Sequence, residues 1–307
     1  MDCSNDKIGA VIVLYQPDMT RLKENLSSLS CQVDFVILID NSSVDNEEEV
    51  IPLGQNVHYT PLMSNTGIAK ALNIGMAKAL AAGADFILLS DQDSVMSEEC
   101  VGTLLSNYHA LRESGIKVGV VGTRAINRKT GKPYPAMSKE VNTIAVKTIA
   151  NTSVITECYS VITSVSLIPR EAMIAAGGMD ESLFIDGVDH EWCWRAWHTN
   201  KLRAFIIENA TIEHELGRSG KAITKQDISI SQPMRLRYQL RNYIWLRHRS
   251  YTPRFWKKKH LIKYMEKIIY YPIFISPRWE YVKAIAKGIR EGLEKRNETG
   301  HWPTFQN

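Results

Sequence analysis

Two acidic clusters and one histidine carry the residue types on which a reaction could be built. Asp91 and Asp93 stand one residue apart, directly after the apolar run 86–89. Two carboxylates so placed offer only hard oxygen donors, which suits Mg2+ or Mn2+, and such a cation in turn suits a diphosphate. Asp is also a common turn residue, and Asp-x-Asp by itself reads first as a polar turn after a strand. The second cluster is Asp186, Asp189 and Glu191, all within six residues. Acids at the start of a helix are good caps, so stability alone explains one of them. It explains three less well, especially around an intervening Gly187. His214, taken alone, reads as an ordinary surface or core histidine.

These residues need elements to hold them. The apolar runs 8–14, 35–39 and 86–89 read as buried strands, and 57–62 as a short further one. Tyr15-Gln16-Pro17-Asp18 is a turn into a helix over 18–30. Asn65-Thr66-Gly67 opens a small-residue helix over 68–80, and its free backbone N–H groups favour an anion or polar ligand. The resulting order, strand–helix–strand–strand–helix–strand, predicts a Rossmann-like α/β fold: a mostly parallel sheet flanked by helices. In such open sheets ligands bind beyond the carboxyl ends of the strands, which is where Asp91 and Asp93 fall. Neither G-x-G-x-x-G nor a P-loop is present, so a dinucleotide fingerprint and a Walker site are unsupported. Downstream, the pattern predicts a helix over 97–114, a strand over 118–122, a loop or β excursion over 127–150, a strand over 159–168, a helix starting near 188 and a strand over 203–207.

The chain has 307 residues, 44% hydrophobic and 23% charged, which suits one large or two modest globular domains. It has no apolar run long enough for a transmembrane helix. The N-terminus lacks the basic region and cleavage site of a signal peptide. Five scattered cysteines, none in CxxC spacing, suggest reduced thiols in the cytoplasm and support neither zinc nor a disulfide framework. The net charge of +4 hides an asymmetry: residues 233–296 hold 17 Lys/Arg against 4 Asp/Glu, and the remainder 20 against 29. We therefore divide the chain into a catalytic region, 1–230, and a basic helical region, 231–307. The latter alternates basic with aromatic and aliphatic residues. That fits helices at an anionic membrane surface, and equally a solvated helical subdomain packed on the catalytic one. No nucleic-acid motif accompanies the charge.

With these pieces in order, the sequence resembles the inverting family 2 glycosyltransferases of GT-A fold, and within them the bacterial rhamnosyltransferases of O-antigen and surface polysaccharide assembly. The likeness runs from about residue 8 to 295. It is carried by 11–15 (VIVLY), 39–43 (IDNSS), 65–69 (NTGIA), 89–93 (LSDQD), 184–192 (FIDGVDHEW), 214–217 (HELG) and 235–242 (RLRYQLRN). It implies that Tyr15, Asp40, Asn65 and Asp91 line the nucleotide, that Asp91, Asp93 and His214 hold Mg2+ or Mn2+, and that Asp189 is the catalytic base. Asp186 and Glu191 would position donor or acceptor, and Arg218, close after His214, the diphosphate. The donor implied is a nucleotide-diphospho-sugar, dTDP-L-rhamnose by subgroup, whose inversion leaves an α-linked rhamnose. The acceptor implied is a polyprenyl-diphosphate-linked saccharide, at the inner face of the cytoplasmic membrane. Ser164-Val165-Ser166-Leu167 departs from the Ser-Gly-x-Leu frequent in the family, and Val makes close backbone approach harder than Gly. Three other readings stand behind this one: another nucleotide-sugar donor, a nucleotidyltransferase, and a non-catalytic sugar-nucleotide-binding protein. The Gly-rich, basic N-terminal loop typical of nucleotidyltransferases is missing from 13–17.

Overall fold

The computed structural model describes residues 6–50, 56–127, 130–134, 142–147, 152–214, 219–220, 228–294 and 299–306, with backbone alone at 142–147, 152–153, 213–214, 219–220 and 228–229. In chain order the elements are β1 (Ile8–Leu14), α1 (Met19–Leu29), β2 (Phe35–Asp40), α2 (Glu47–Val50), β3 (Val57–Pro61), α3 (Ile68–Ala81), β4 (Phe86–Asp91), β5 (Val95–Met96), α4 (Cys100–Glu113) and β6 (Val118–Asn127). There follow β7 (Asn142–Lys147), β8 (Thr152–Cys158), β9 (Ser166–Pro169), α5 (Arg170–Ala176), a 3-10 turn (Glu181–Leu183), α6 (Val188–Asn200), β10 (Arg203–His214), β11 (Ser219–Gly220) and β12 (Ile228–Ser229). Three helices end the chain: α7 (Pro233–His248), α8 (Arg254–Phe274) and α9 (Arg278–Glu294).

One mixed sheet organises the molecule, in the order β3-β2-β1-β4-β9-β6-β10-β8-β7, with β5 paired to β10. Its first four strands are parallel, as the strand–helix alternation predicts. β9 runs antiparallel between β4 and β6, and so separates the parallel half from the rest. The stretch 159–168 is therefore not one strand: only Ser166–Pro169 pairs, and the residues before it form the loop that passes the end of β4.

Strand side chains alternate between faces, and here both faces are covered, so the strands read as unbroken apolar runs. Val11, Ile37, Ile39, Ile87 and Leu89 face α3, α6 and the C-terminal helices in one core. Ala10, Ile12, Leu14, Leu38 and Leu88 face α1 and α4 in the other. The first core continues without a break into Leu236, Leu240, Tyr243 and Trp256, so α7 and α8 are packed directly against the layer that carries α6. No helix among the described residues is long and apolar enough to cross a membrane. The cysteines Cys31, Cys100, Cys158 and Cys193 are free thiols.

Candidate active site

The turn after β4 is fixed by side chains that are not themselves acidic. Asn25, buried on α1, donates to the backbone carbonyls of Asp91 (2.9 Å) and Ser94 (2.5 Å). Gln92 reaches to β1, where its Oε1 accepts the Tyr15 N–H at 2.9 Å. Parallel register sets Val13 beside Asp91, so the two strands finish at one level. Asp91 and Asp93, both half-buried, are thus presented at the carboxyl edge of the sheet. Asp91 Oδ2 accepts a hydrogen bond from the Ser164 hydroxyl. Ser164 is brought there by β9, whose register sets Ser166 beside Leu89. Between them Val165 has φ +55°, a left-handed conformation that a β-branched residue rarely adopts. Its side chain is fully buried in the core, and that packing holds the backbone in place.

The neighbouring strand end behaves differently from expectation. Asp40, at the end of β2, is only 1% exposed. It accepts from Ser42 N–H (2.9 Å), Asn46 Nδ2 (2.6 Å) and the Tyr59 hydroxyl (2.7 Å). Burial, and then this hydrogen bond to Asp40, push the Tyr59 hydroxyl well above its ordinary range, so it stays a donor. Asp40 therefore shapes the loop and is not open to a ligand. The residues open at this end are Tyr15, 43% exposed, and Asn65. Asn41 ties the two loops together: its Oδ1 accepts from Thr66 N–H at 2.7 Å and its Nδ2 donates to Asn65 Oδ1 at 3.0 Å.

The second acidic cluster sits on a contorted loop. Phe184 (φ +65°), Asp186 (φ +65°) and Gly187 (φ +85°) are all left-handed, which only Gly adopts without cost. The loop is held by α7. Asn242, 2% exposed, donates from one amide nitrogen to the carbonyls of Leu183 (2.8 Å), Ile185 (2.6 Å) and Asp186 (3.0 Å). Arg241 caps the carbonyls of Ser182 (2.7 Å) and Leu183 (2.9 Å). Arg235, two turns earlier on the same helix, makes a bidentate pair with Asp186 at 2.9–3.1 Å. That hydrogen-bonded pair, reinforced by the charges of Asp189 and Asp91, raises the guanidinium's hold on its proton. Phe184 stacks on Tyr238 at 4.6 Å and packs over Gly67, where a Cβ would come within 2.5 Å of the ring.

Asp189 lies in the first turn of α6, partly exposed, with its Oδ1 accepting the His190 N–H at 2.8 Å. Its negative charge is favourable at a helix N-terminus. His190 in turn pairs with the Ser160 hydroxyl at 2.9 Å and stacks on Trp194. Glu191 does not join it. Two residues along a helix is about 200° of rotation, so Glu191 points to the opposite face. There it is fully buried, paired with Arg195 (2.9 Å) and Arg249 (3.4 Å), and accepts from the Tyr251 hydroxyl (2.7 Å). Glu191 thus anchors α6, and the expected contact with donor or acceptor is corrected on this ground.

The acids on the turn after β4 suit a hard divalent cation, since both are oxygen donors on a rigid support. Among the described residues no group of three or more His, Cys, Asp or Glu side chains converges on one point. His214 ends β10, and pairing of Glu213 with Val95 brings that strand end beside the Asp91–Ser94 turn. The side chain of His214, and Arg218 altogether, lie outside the described residues. The run 235–242 carries part of the resemblance, but its sequence assigns it no role: Arg235, Arg241 and Asn242 act on a loop about fifty to sixty residues away.

The glycosyl transferase family 2 model matches residues 10–171. A curated relative, dTDP-rhamnosyl transferase RfbF of Shigella flexneri, is 32% identical over 254 residues, 81% of this chain and 82% of the relative. Among solved structures, S. aureus TarS 1–349 superposes with a TM-score of 0.54 at 15% identity, over 94% of this chain and 81% of that one. A structure of GalNAc-T7 with UDP, GalNAc and Mn2+ superposes with a TM-score of 0.55 at 15% identity, over 94% of this chain and 54% of that one. At such identity the two structures speak for the fold, which is the GT-A arrangement.

Proposed function

The chain belongs to glycosyl transferase family 2, and from that premise we propose that it transfers L-rhamnose from dTDP-L-rhamnose to a saccharide acceptor by inverting displacement. The observation that carries the reading is that both acidic clusters stand at the carboxyl edge of the sheet. Asp91 ends β4 there, and the start of α3 is tied there by Asn41, just after β2. The Phe184 carbonyl accepts the Ala69 N–H of α3 at 3.4 Å, which sets the loop of Asp186 and Asp189 against the same edge.

In this reading Asp189 takes the proton of the acceptor hydroxyl while that oxygen bonds to the anomeric carbon and the bond to the diphosphate breaks. Asp91 and Asp93, with His214 as a further ligand, would hold Mg2+ or Mn2+, which when bound would neutralise charge developing on the departing diphosphate. Ser164 orients Asp91 for this task. Tyr15 and Asn65 contact the nucleotide, over the loop that Asp40 shapes, and Arg218 meets the diphosphate. Asp186 is held by Arg235 and positions the donor or acceptor. Rhamnose as the sugar rests on the Shigella flexneri relative.

The acceptor is a polyprenyl-diphosphate-linked saccharide at the inner face of the cytoplasmic membrane. Support comes from α8, which exposes Ile262, Met265, Ile269 and Ile273 along one side, near exposed Lys258 and Lys259. An apolar stripe flanked by lysines suits an anionic bilayer surface. Flotation with anionic liposomes tests this, and an α8 that leaves the chain in solution at low salt overturns it.

The deciding experiment incubates the chain with dTDP-L-rhamnose, Mg2+ or Mn2+ and a lipid-linked acceptor. Metal-dependent release of dTDP is expected, and Asp189→Asn should bind donor normally yet transfer nothing. Wild-type transfer by that variant removes the base assignment, and no release from any donor in a panel removes the reading.

A further inference from the structure

At the end of α6 remote from Asp189 lies a cavity of about 540 Å³, between α6, the start of β10 and the α7–α8 connection. Trp197 stands eight residues after Asp189, about 12 Å along the helix at 1.5 Å per residue. β8 ends here too, with Cys158 paired to Ala204 at the start of β10, whereas the cleft lies at the opposite, carboxyl end of the parallel strands. The cavity is therefore distinct from the site described above.

Its walls have two properties that do not follow from packing alone. First, they carry aromatic faces that water can reach. Trp197 is 47% exposed and Tyr159 38% exposed, the latter set against Phe255 at 4.8 Å. Second, they carry polar side chains that water can reach beside those rings: His198, Ser250 and Arg254 are all exposed. Arg203, also in the wall, is paired with Glu157. Trp194 lines the cavity as well.

We propose that this cavity is a saccharide-binding subsite, separate from the donor cleft, which takes one or two sugar units of the acceptor or product chain. A pyranose matches the two properties at once. Its C–H face lies against an aromatic ring, and its hydroxyls exchange hydrogen bonds with the Ser250 hydroxyl and the His198 imidazole. A cavity of this size fits the range of small-ligand sites, and its mixed aromatic and polar lining suits a sugar better than a lipid tail. That the sugar belongs to acceptor or product rests on the glycosyltransferase reading above, whereas the saccharide chemistry rests on the cavity walls.

The test is a ¹⁵N-indole spectrum of the full chain titrated with methyl α-L-rhamnopyranoside and, separately, with N,N′-diacetylchitobiose. Trp194→Phe identifies the signal of interest by its loss. We expect one of the two sugars to move that signal saturably, with binding weakened about tenfold in Ser250→Ala and in Trp197→Ala. Excess dTDP should leave the shift in place. No shift with either sugar, an undiminished shift in both variants, or displacement by dTDP each overturns the subsite. A shift that persists in a chain with no transferase activity would keep the subsite while removing the reading it is attached to.

Discussion

The two acidic clusters reach the carboxyl edge of the sheet by opposite means. Asp91 and Asp93 stand on the end of a strand whose turn is secured by a near neighbour in the sheet, Gln92 on Tyr15, and by Asn25 below it. Asp186 and Asp189 stand on a loop with three left-handed residues, and contacts from α7 clamp that loop in shape. The first cluster is a property of the sheet. The second is a property of how later helices pack on it. Damage to the first should therefore be local and chemical, and damage to the second should spread through positioning.

The contrast can be broken at four points. The largest effects should come from the acids themselves. Asp189→Asn and the double change Asp91→Asn with Asp93→Asn should each lower transfer by about 10²- to 10⁴-fold. Calorimetry with dTDP-L-rhamnose should separate them, since only the double variant loses metal-dependent donor binding. Glu191→Gln comes next, and it acts on stability. It leaves Arg195 buried without a counter-charge and Arg249 with Asp180 alone, which should cost about 3–5 kcal/mol in chemical denaturation. If it instead folds stably but loses transfer, then Glu191 serves the chemistry and α6 has been misread. Asn242→Ala should lower transfer by about ten- to a hundredfold through a shifted loop, with donor affinity unchanged in a titration. Equal loss of donor binding would show the two halves to be less separate than drawn. Smallest is Ser164→Ala, which removes one hydrogen bond to Asp91 and should cost about 1 kcal/mol, read as a severalfold higher metal requirement.

What the sequence reveals follows the same division. β1, β2 and β4 are legible because both sheet faces are covered, which leaves unbroken apolar runs ending in polar residues. The Asp91-x-Asp93 pair is legible as an oxygen site for the same reason. Asp40 looks equivalent, ending β2 as Asp91 ends β4, yet its carboxylate is consumed by Asn46, Tyr59 and Ser42. Nothing in the local pattern distinguishes a carboxylate that faces a ligand from one that folds a loop. Helical rotation alone separates Glu191 from Asp189, since both lie in the first turn of α6 two residues apart. The clamp by Asn242 could not be found this way, because it joins a side chain to backbone carbonyls far along the chain. Val165 is the reverse case: the departure from glycine was visible in the sequence, and the backbone there is left-handed all the same.

One contact described above ties the halves together more tightly than their separate origins suggest. The carbonyl of Phe184 accepts the Ala69 N–H of α3 at 3.4 Å, and the Phe184 ring fills the space over Gly67. The first turn of α3 and the loop of Asp186 and Asp189 thus share a seam. Swinging that loop aside would unseat the turn that presents Asn65, so the two are expected to shift together, as one piece of the edge and not as independent flaps.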